Sequence, residues 1–273
     1  MKTSCLLLPF LLLVLTACVG ERKEAQPEAT DTLTVATTDS VPSDSVQPVT
    51  PKHLDGLFDD FAFLFMSNSK FQQRRVRFPL PVVEDGKTHW LEKKQWRFDP
   101  LYGRSDVYTL IFDSKKAMQA QKDTSLKHVE VEWVYLTARR VKQYVFNKTQ
   151  GLWRLDSINV HRFVDNENSD FYEFYRQFSS NPDFQTRHIV NPFAFRTYDS
   201  DNFSHIDGTL DVQQWPDFRP DLPHGTITNI NYGQRYGDAR HRLLVICSPS
   251  GGMGCTLTFV RKGNTWMLEG LEN

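Results

Sequence analysis

The sequence lacks an excess of charge of either sign, and it lacks the motifs of several common chemistries. Its 32 Lys and Arg and 33 Asp and Glu residues nearly cancel, so it has no basic patch of the kind that holds nucleic acid. It has no Gly-x-Ser-x-Gly elbow and no His and Cys spacing typical of a metal site. The glycine-rich segment Ser250–Gly254 has neither the lysine nor the helix pattern of a phosphate-binding loop behind it. We therefore expect no metal, no cofactor and no nucleic-acid partner.

Long hydrophobic runs are also missing, and the longest one stands at the N-terminus. There Lys2 precedes the apolar run Leu6–Leu15, which is far shorter than the ~20 residues that span a bilayer. A positive start, a short apolar core and small residues are typical of an export signal. The ending Leu15-Thr16-Ala17-Cys18 resembles the bacterial lipobox.

This resemblance implies a signal peptide over residues 1–17 and cleavage before Cys18. Lipid on Cys18 then anchors the chain to a membrane, since two or more acyl chains give stable anchoring. Val19, rather than aspartate, follows the cysteine. By analogy with the sorting rule of some Gram-negative bacteria, this residue favours the outer membrane, with the leaflet left open.

Aromatic residues are absent between Val19 and His53, where Thr, Ser, Asp, Glu and Pro predominate. Such a composition buries too little apolar area to offset chain entropy, so residues 18–52 are predicted to form a disordered, extended tether. Three Asp-Ser/Thr-apolar tripeptides, centred on Thr32, Ser40 and Ser45, resemble the O-glycosylation acceptor of Bacteroides-type bacteria. The alternative is that a segment of this composition yields such triplets by chance.

The rest of the chain repeats itself. Matching residues stand 113 positions apart near both ends of the repeat and 119 apart in its middle, where Gln95-Trp96 matches Gln214-Trp215. A register that shifts and then returns is typical of a duplicated domain with one altered loop. We therefore predict two tandem domains, over residues 53–165 and 166–273. The pairs at 113 are Phe58/Phe171, Phe61/Phe174, Phe65/Phe178, Trp153/Trp266 and Leu155/Leu268.

Each copy is predicted to begin with a helix and to end with strands. The phenylalanines at positions i, i+3 and i+7 form one apolar stripe of a helix. Alternating, β-branched segments then predict an antiparallel meander, at Val129–Leu136, Val141–Asn147 and Gly151–Ile158 in the first copy. The corresponding segments of the second copy are Arg242–Cys247, Cys255–Arg261 and Thr265–Leu271. The fold class is thus α+β, with two cone-shaped domains, each an N-terminal helix and a curved antiparallel sheet.

This order of elements, and the terminal segments Gly151–Leu155 and Asn264–Leu268 around a central tryptophan, resemble the nuclear transport factor two-like superfamily. The segment Phe71–Leu80, Phe-Gln-x-x-Arg-Val-x-Phe-Pro-Leu, is similar to that of a Bacteroides-type lipoprotein family of unknown function. The superfamily contains isomerases, dehydratases and binding modules, so the resemblance implies a cone-shaped fold without selecting an activity.

The polar candidates for a ligand site are those present in both copies, namely Gln72 with Gln185 and Arg74 with Arg187. An arginine beside an aromatic row can hold an anionic group in bidentate fashion. The alternative is structural, with each arginine paired to a helix acid of its own copy. His128, Glu130 and Glu132 share one strand face. This face is predicted to be the solvated side of the sheet, and the alternative is that it lines a pocket.

Cys247 and Cys255 flank a predicted hairpin turn. They form a possible cross-strand disulfide if they face each other in register, and two buried thiols otherwise.

Three functions are compatible with these features. The first is a non-catalytic envelope module that binds a small molecule, a glycan or a protein partner. The second is an isomerase-like or dehydratase-like enzyme, which needs a carboxylate or histidine with a displaced pKa in an apolar cavity. The third is a structural or assembly protein in which the two copies pack as a pseudo-dimer.

Overall fold

The computed structural model describes residues 54–236, 239–248 and 254–273. The described residues belong to one compact unit. The predicted signal peptide, Cys18, the tether and the three tripeptides at Thr32, Ser40 and Ser45 lie outside the described residues. Within the described ranges, no helix has the length and apolar character needed to cross a membrane.

The first copy begins with two helices joined by a single residue. Asn68 ends the first helix and caps the second, because its side chain accepts a hydrogen bond from the backbone N–H of Phe71 at 2.9 Å. Short 3-10 turns lie at 93–95, 101–104, 117–122 and 163–165. The elements are α1 (Phe58–Ser67), α2 (Ser69–Arg75), β1 (Leu80–Glu84), β2 (Lys87–Leu91), β3 (Tyr108–Phe112), β4 (His128–Tyr135), β5 (Arg140–Thr149) and β6 (Leu152–Arg162).

The second copy repeats this order. Asn181 caps its second helix in the same way, by accepting from the N–H of Phe184 at 3.0 Å. The elements are α3 (Ser169–Phe178), α4 (Pro182–Arg187), β7 (Ile189–Asp199), β8 (Ser204–Leu210), α5 (Trp215–Phe218), β9 (Thr226–Asn231), β10 (His241–Cys247), β11 (Cys255–Lys262) and β12 (Thr265–Glu272).

Two six-stranded sheets result, and each contains one strand from the other copy. The first sheet has the order β2-β1-β6-β5-β4-β9, and the second has the order β3-β10-β11-β12-β7-β8. Strands β3 and β9 are thus exchanged between the copies, so sheet membership does not follow the sequence boundary at 165/166. Each sheet is antiparallel except for one parallel pair, β1 with β6 and β7 with β12.

The two exchanged strands meet at Thr109 of β3 and Thr228 of β9, which are 119 positions apart and therefore equivalent. The N–H of Thr109 donates to Thr228 Oγ1 at 2.8 Å, and the N–H of Thr228 donates to Thr109 Oγ1 at 3.0 Å. Each hydroxyl also donates to the carbonyl oxygen of the other threonine. Identical bonds in both directions indicate a local pseudo-twofold axis between the copies.

Two cores lie against the sheets, and strand β4 contributes to both. Val129 and Val131 of β4 face the first core. Val134 of the same strand belongs to the second core, as does Leu136, which directly follows the strand. In the first core the predicted phenylalanine stripe packs on β5 and β6, with Phe58 5.4 Å from Phe146 and 5.2 Å from Trp153 between ring centroids. The same arrangement recurs in the second core. The copies therefore interlock through shared packing as well as exchanged strands.

Candidate functional site

Gln72, predicted to be a ligand-binding residue or a structural one, is fully buried in the middle of α2. Its Nε2 donates to the carbonyl oxygens of Phe65 and Asp99 at 3.0 and 2.6 Å. Its Oε1 accepts from the indole N–H of Trp96 and the backbone N–H of Asp99 at 3.1 and 2.9 Å. Four bonds use the hydrogen-bonding capacity of a carboxamide. The side chain fastens the segment after β2 to the helices.

Gln185 occupies the equivalent place in the second copy. It donates to the carbonyl oxygen of Phe178 at 2.6 Å and accepts from the indole of Trp215 at 2.9 Å. Its Oε1 also accepts from Arg219 at 3.3 Å, at the wall of a polar pocket of about 440 Å³ that includes His224. The glutamine–tryptophan bond thus explains why both residues recur in both copies.

Arg74 and Arg187 are exposed. The structural alternative pairs each arginine with a helix acid of its own copy, and Glu173 of α3 is such an acid for Arg187. Glu173 instead binds Arg139 and Arg176. The buried arginine of the first copy is the neighbour Arg75. It forms a bidentate pair with Asp55 at 2.9 and 2.8 Å and also donates to a backbone carbonyl. Its guanidinium lies inside the fold and holds the segment before α1.

Cys247 and Cys255 are free thiols in the structure. The register of the hairpin pairs Cys255 with Ile246, while Cys247 lies one residue further and opposite Tyr108 of β3. Adjacent strand residues point to opposite faces. The two thiols consequently pack against different cores, and the possible disulfide is not formed.

Of the two alternatives for this face of β4, Glu132 fits the pocket lining rather than the solvated face, because it is 3% exposed and lines a cleft. This face lies against α3 of the second copy, and the Tyr172 hydroxyl donates to Glu132 at 3.0 Å. Side-chain amides of Gln143, Asn166 and Asn229 supply further donors at 3.3, 2.8 and 2.9 Å. Four donors saturate this carboxylate, at the base of a polar cleft of about 650 Å³.

A different cavity, of about 400 Å³ and rich in aromatic rings, opens beside α1 in the first copy. We call it the aromatic cavity. Five rings contribute to its wall, and the remaining residues come from α1, β9 and the 3-10 turns at 101–104 and 117–122. Phe63, 71% exposed, stands at its mouth. The rings are those of Phe63, Phe98, Tyr102, Tyr108 and Tyr232.

Asp59 of α1 is the only carboxylate in the wall of this cavity among the described residues. It accepts a hydrogen bond from the hydroxyl of Tyr232 at 2.7 Å. Burial raises the pKa of Asp59 above its ordinary value; the bond from Tyr232 opposes the rise and Asp60 adds to it. In the described part of the chain no lysine, arginine or histidine forms an ion pair with Asp59.

The tyrosines of the aromatic cavity stay neutral. Burial, with a smaller contribution from Cys247, raises the pKa of Tyr108 to about 12. Burial also raises the pKa of Tyr102 and Tyr232 well above the ordinary tyrosine value, and Asp59 adds to both. Tyr102 and Tyr108 stack with ring centroids 4.9 Å apart. The cavity thus combines neutral, stacked aromatic rings with one carboxyl group.

The residues shared by both copies do not point to Asp59, because it is not one of them. Its equivalent at an offset of 113 is Tyr172, so the two copies differ here. The shared glutamines Gln72 and Gln185 are structural hydrogen-bonding residues, whereas the shared arginines Arg74 and Arg187 are exposed. The signal that points to Asp59 is a difference between the copies in their first helix.

Comparison with solved structures agrees with this architecture. A crystal structure of an NTF2-like protein from Bacteroides fragilis NCTC 9343 is 40% identical to the chain, with a TM-score of 0.75. The match covers 82% of this chain and 98% of that one. The fold is therefore NTF2-like, as the sequence predicted, in an α+β protein with two cone-like domains. No curated protein matches the chain.

The family follows from a second comparison. Residues 38–273 match the family described as "Domain of unknown function (DUF4348)", and the chain belongs to this family. The resemblance to a family of unknown function with this fold is confirmed.

Proposed function

We propose that the chain is a lipid-anchored binding module of the cell envelope, and that the aromatic cavity holds a small molecule with an apolar body. The observation that supports this most is the cavity itself, which has a volume of about 400 Å³ and five aromatic rings in its wall. Ligand sites are typically concave, largely apolar and supplied with few polar groups. The polar groups here are few: Asp59 lies beside Tyr232, and Ser67, Arg104 and Gln121 complete the wall.

Binding of tert-butylbenzene, followed by ligand-observed NMR, tests the cavity. Ser67 of α1 lies in its wall and is exposed, so Ser67→Phe places a ring in the opening. The matched control is Ser69→Phe, on an exposed serine outside that wall. We expect Ser67→Phe to abolish binding and Ser69→Phe to retain it. Equal binding by both variants, or none by the unchanged protein, would refute the proposed site.

The anchor is tested separately by cell fractionation. Cys18→Ala removes the proposed lipidation site, and Cys5→Ala makes the same change inside the proposed signal peptide. We expect the Cys5→Ala protein to stay in the outer-membrane fraction and the Cys18→Ala protein to leave it. Retention of the Cys18→Ala protein in the membrane contradicts a lipid anchor at this residue.

Asp59 also supports a second candidate function, proton transfer within the same cavity. A carboxyl group whose pKa is raised by burial suits general acid–base chemistry. Isomerisation of 3-cyclohexenone to its conjugated isomer, followed by absorbance, is a direct test. Catalysis that is lost in Asp59→Asn supports this candidate, and a rate equal to that in buffer rules it out for this substrate class.

A further inference from the structure

The two copies place a carboxylate beside a tyrosine hydroxyl in opposite ways. In the first, the acid is on helix α1 and Tyr232 follows strand β9. In the second, the tyrosine is on helix α3, at the position equivalent to Asp59, and the acid is Glu132 of β4. The two carboxylates therefore allow a direct comparison within one chain.

Their hydrogen bonding differs sharply. Glu132 accepts from four donors and has no capacity left for a ligand. Asp59 accepts one side-chain bond, from Tyr232, although a carboxylate has about four acceptor positions. Asp59 is therefore the carboxylate of the two that has capacity for a further group.

The surroundings of Asp59 favour a positively charged ligand group at its carboxylate. A partly buried anion without a cationic partner is costly, and an incoming positive charge removes that cost. The faces of aromatic rings also attract cations, more strongly where water is excluded. Tyr102, Tyr108 and Tyr232 keep their protons and so contribute as neutral rings.

The cavity wall also contains a cationic residue, Arg104, whose side chain is exposed to solvent. Its guanidinium lies 5.7 Å from the centre of the Phe98 ring. This contact shows a cation over one of the five rings. Solvent screens an exposed guanidinium, whereas Asp59 is partly buried.

We propose that the aromatic cavity is selective for organic cations, with the charged end of a substituted ammonium ion beside Asp59 and its apolar body among the rings. This inference rests on the proposed binding function of the same cavity and names its ligand class. The ammonium class matches one anion, neutral aromatic walls and a volume suited to a small molecule.

The experiment compares two probes of nearly the same shape, phenyltrimethylammonium and tert-butylbenzene, in calorimetric or NMR titrations of the full chain. We expect the cation to bind at least about ten-fold more tightly, which corresponds to about 1.4 kcal/mol, since a desolvated cation–aromatic contact can supply this difference. Asp59→Asn should reduce this preference about ten-fold while leaving tert-butylbenzene affinity within about two-fold. Its carboxamide oxygen still accepts the bond from Tyr232, so the local fold is retained.

Asp60→Asn is the matched control, because it removes the same charge from the adjacent, exposed residue of α1. The preference should change less than about two-fold in this variant. Equal affinity for both probes, blocked by Ser67→Phe, overturns the cation inference and leaves the binding function standing. If neither probe binds, both the cation inference and the proposed binding function are overturned. An equal loss of preference in Asp59→Asn and Asp60→Asn also contradicts a local role of Asp59.

Discussion

Replacement of Gln72 by leucine tests whether the residue shared by both copies is structural. The substitution keeps a similar volume but removes two donated and two accepted hydrogen bonds. Each is worth about 1 kcal/mol net, and burial of leucine returns part of the total. We expect the free energy of unfolding to fall by about 3 kcal/mol. For a unit of this size the melting temperature then falls by roughly 6–12 °C.

Thermal and urea unfolding followed by circular dichroism measure this effect. Gln73→Leu is the matched control, because it makes the same change at the exposed neighbour, where about 0.5 kcal/mol or less is expected. Gln185→Leu should resemble Gln72→Leu. If Gln72→Leu and Gln73→Leu unfold at the same temperature and the same urea concentration, the four hydrogen bonds contribute little to stability. The structural role of Gln72 is then wrong.

Three further predictions concern the interlock, the buried ion pair and the aromatic cavity. Thr228→Val leaves the backbone N–H and carbonyl of Thr109 without their partners in the exchange and should cost about 2 kcal/mol in denaturant unfolding; a neutral result contradicts the interlock. Arg75→Ala leaves the Asp55 carboxylate without its partner and should lower the free energy of unfolding by about 3–5 kcal/mol. Arg74→Ala, at the exposed neighbour, should lower it by about 0.5 kcal/mol or less. Equal melting temperatures of the two variants would show that the Arg75–Asp55 pair does not stabilise the fold. Because the pKa of Asp59 is raised on folding, stability should fall as pH rises through that raised pKa; an Asp59→Asn melting curve with the same pH dependence contradicts it.

The sequence predicts the elements whose signals are local. The phenylalanine stripe of α1, with its copy in α3, and the alternating segments that became β4, β5 and β6 lie within a few residues of their predicted bounds. Strands β3 and β9 were not predicted. Tyr108–Phe112 is a short strand, and its partners lie more than 100 residues away in the chain. No local pattern indicates which sheet such a strand joins.

The sequence alone determined the duplication, the α+β class and the NTF2-like resemblance, because matched spacing and side-chain periodicity are properties of the chain itself. Only the tertiary structure decided which shared polar residues are structural. It buried Gln72 in four hydrogen bonds and placed Arg75 rather than Arg74 inside. It also decided that Asp59 faces an aromatic cavity while Glu132 is saturated. The physical reason is that burial and hydrogen-bond partners come from strands far apart in sequence, and here partly from the other copy.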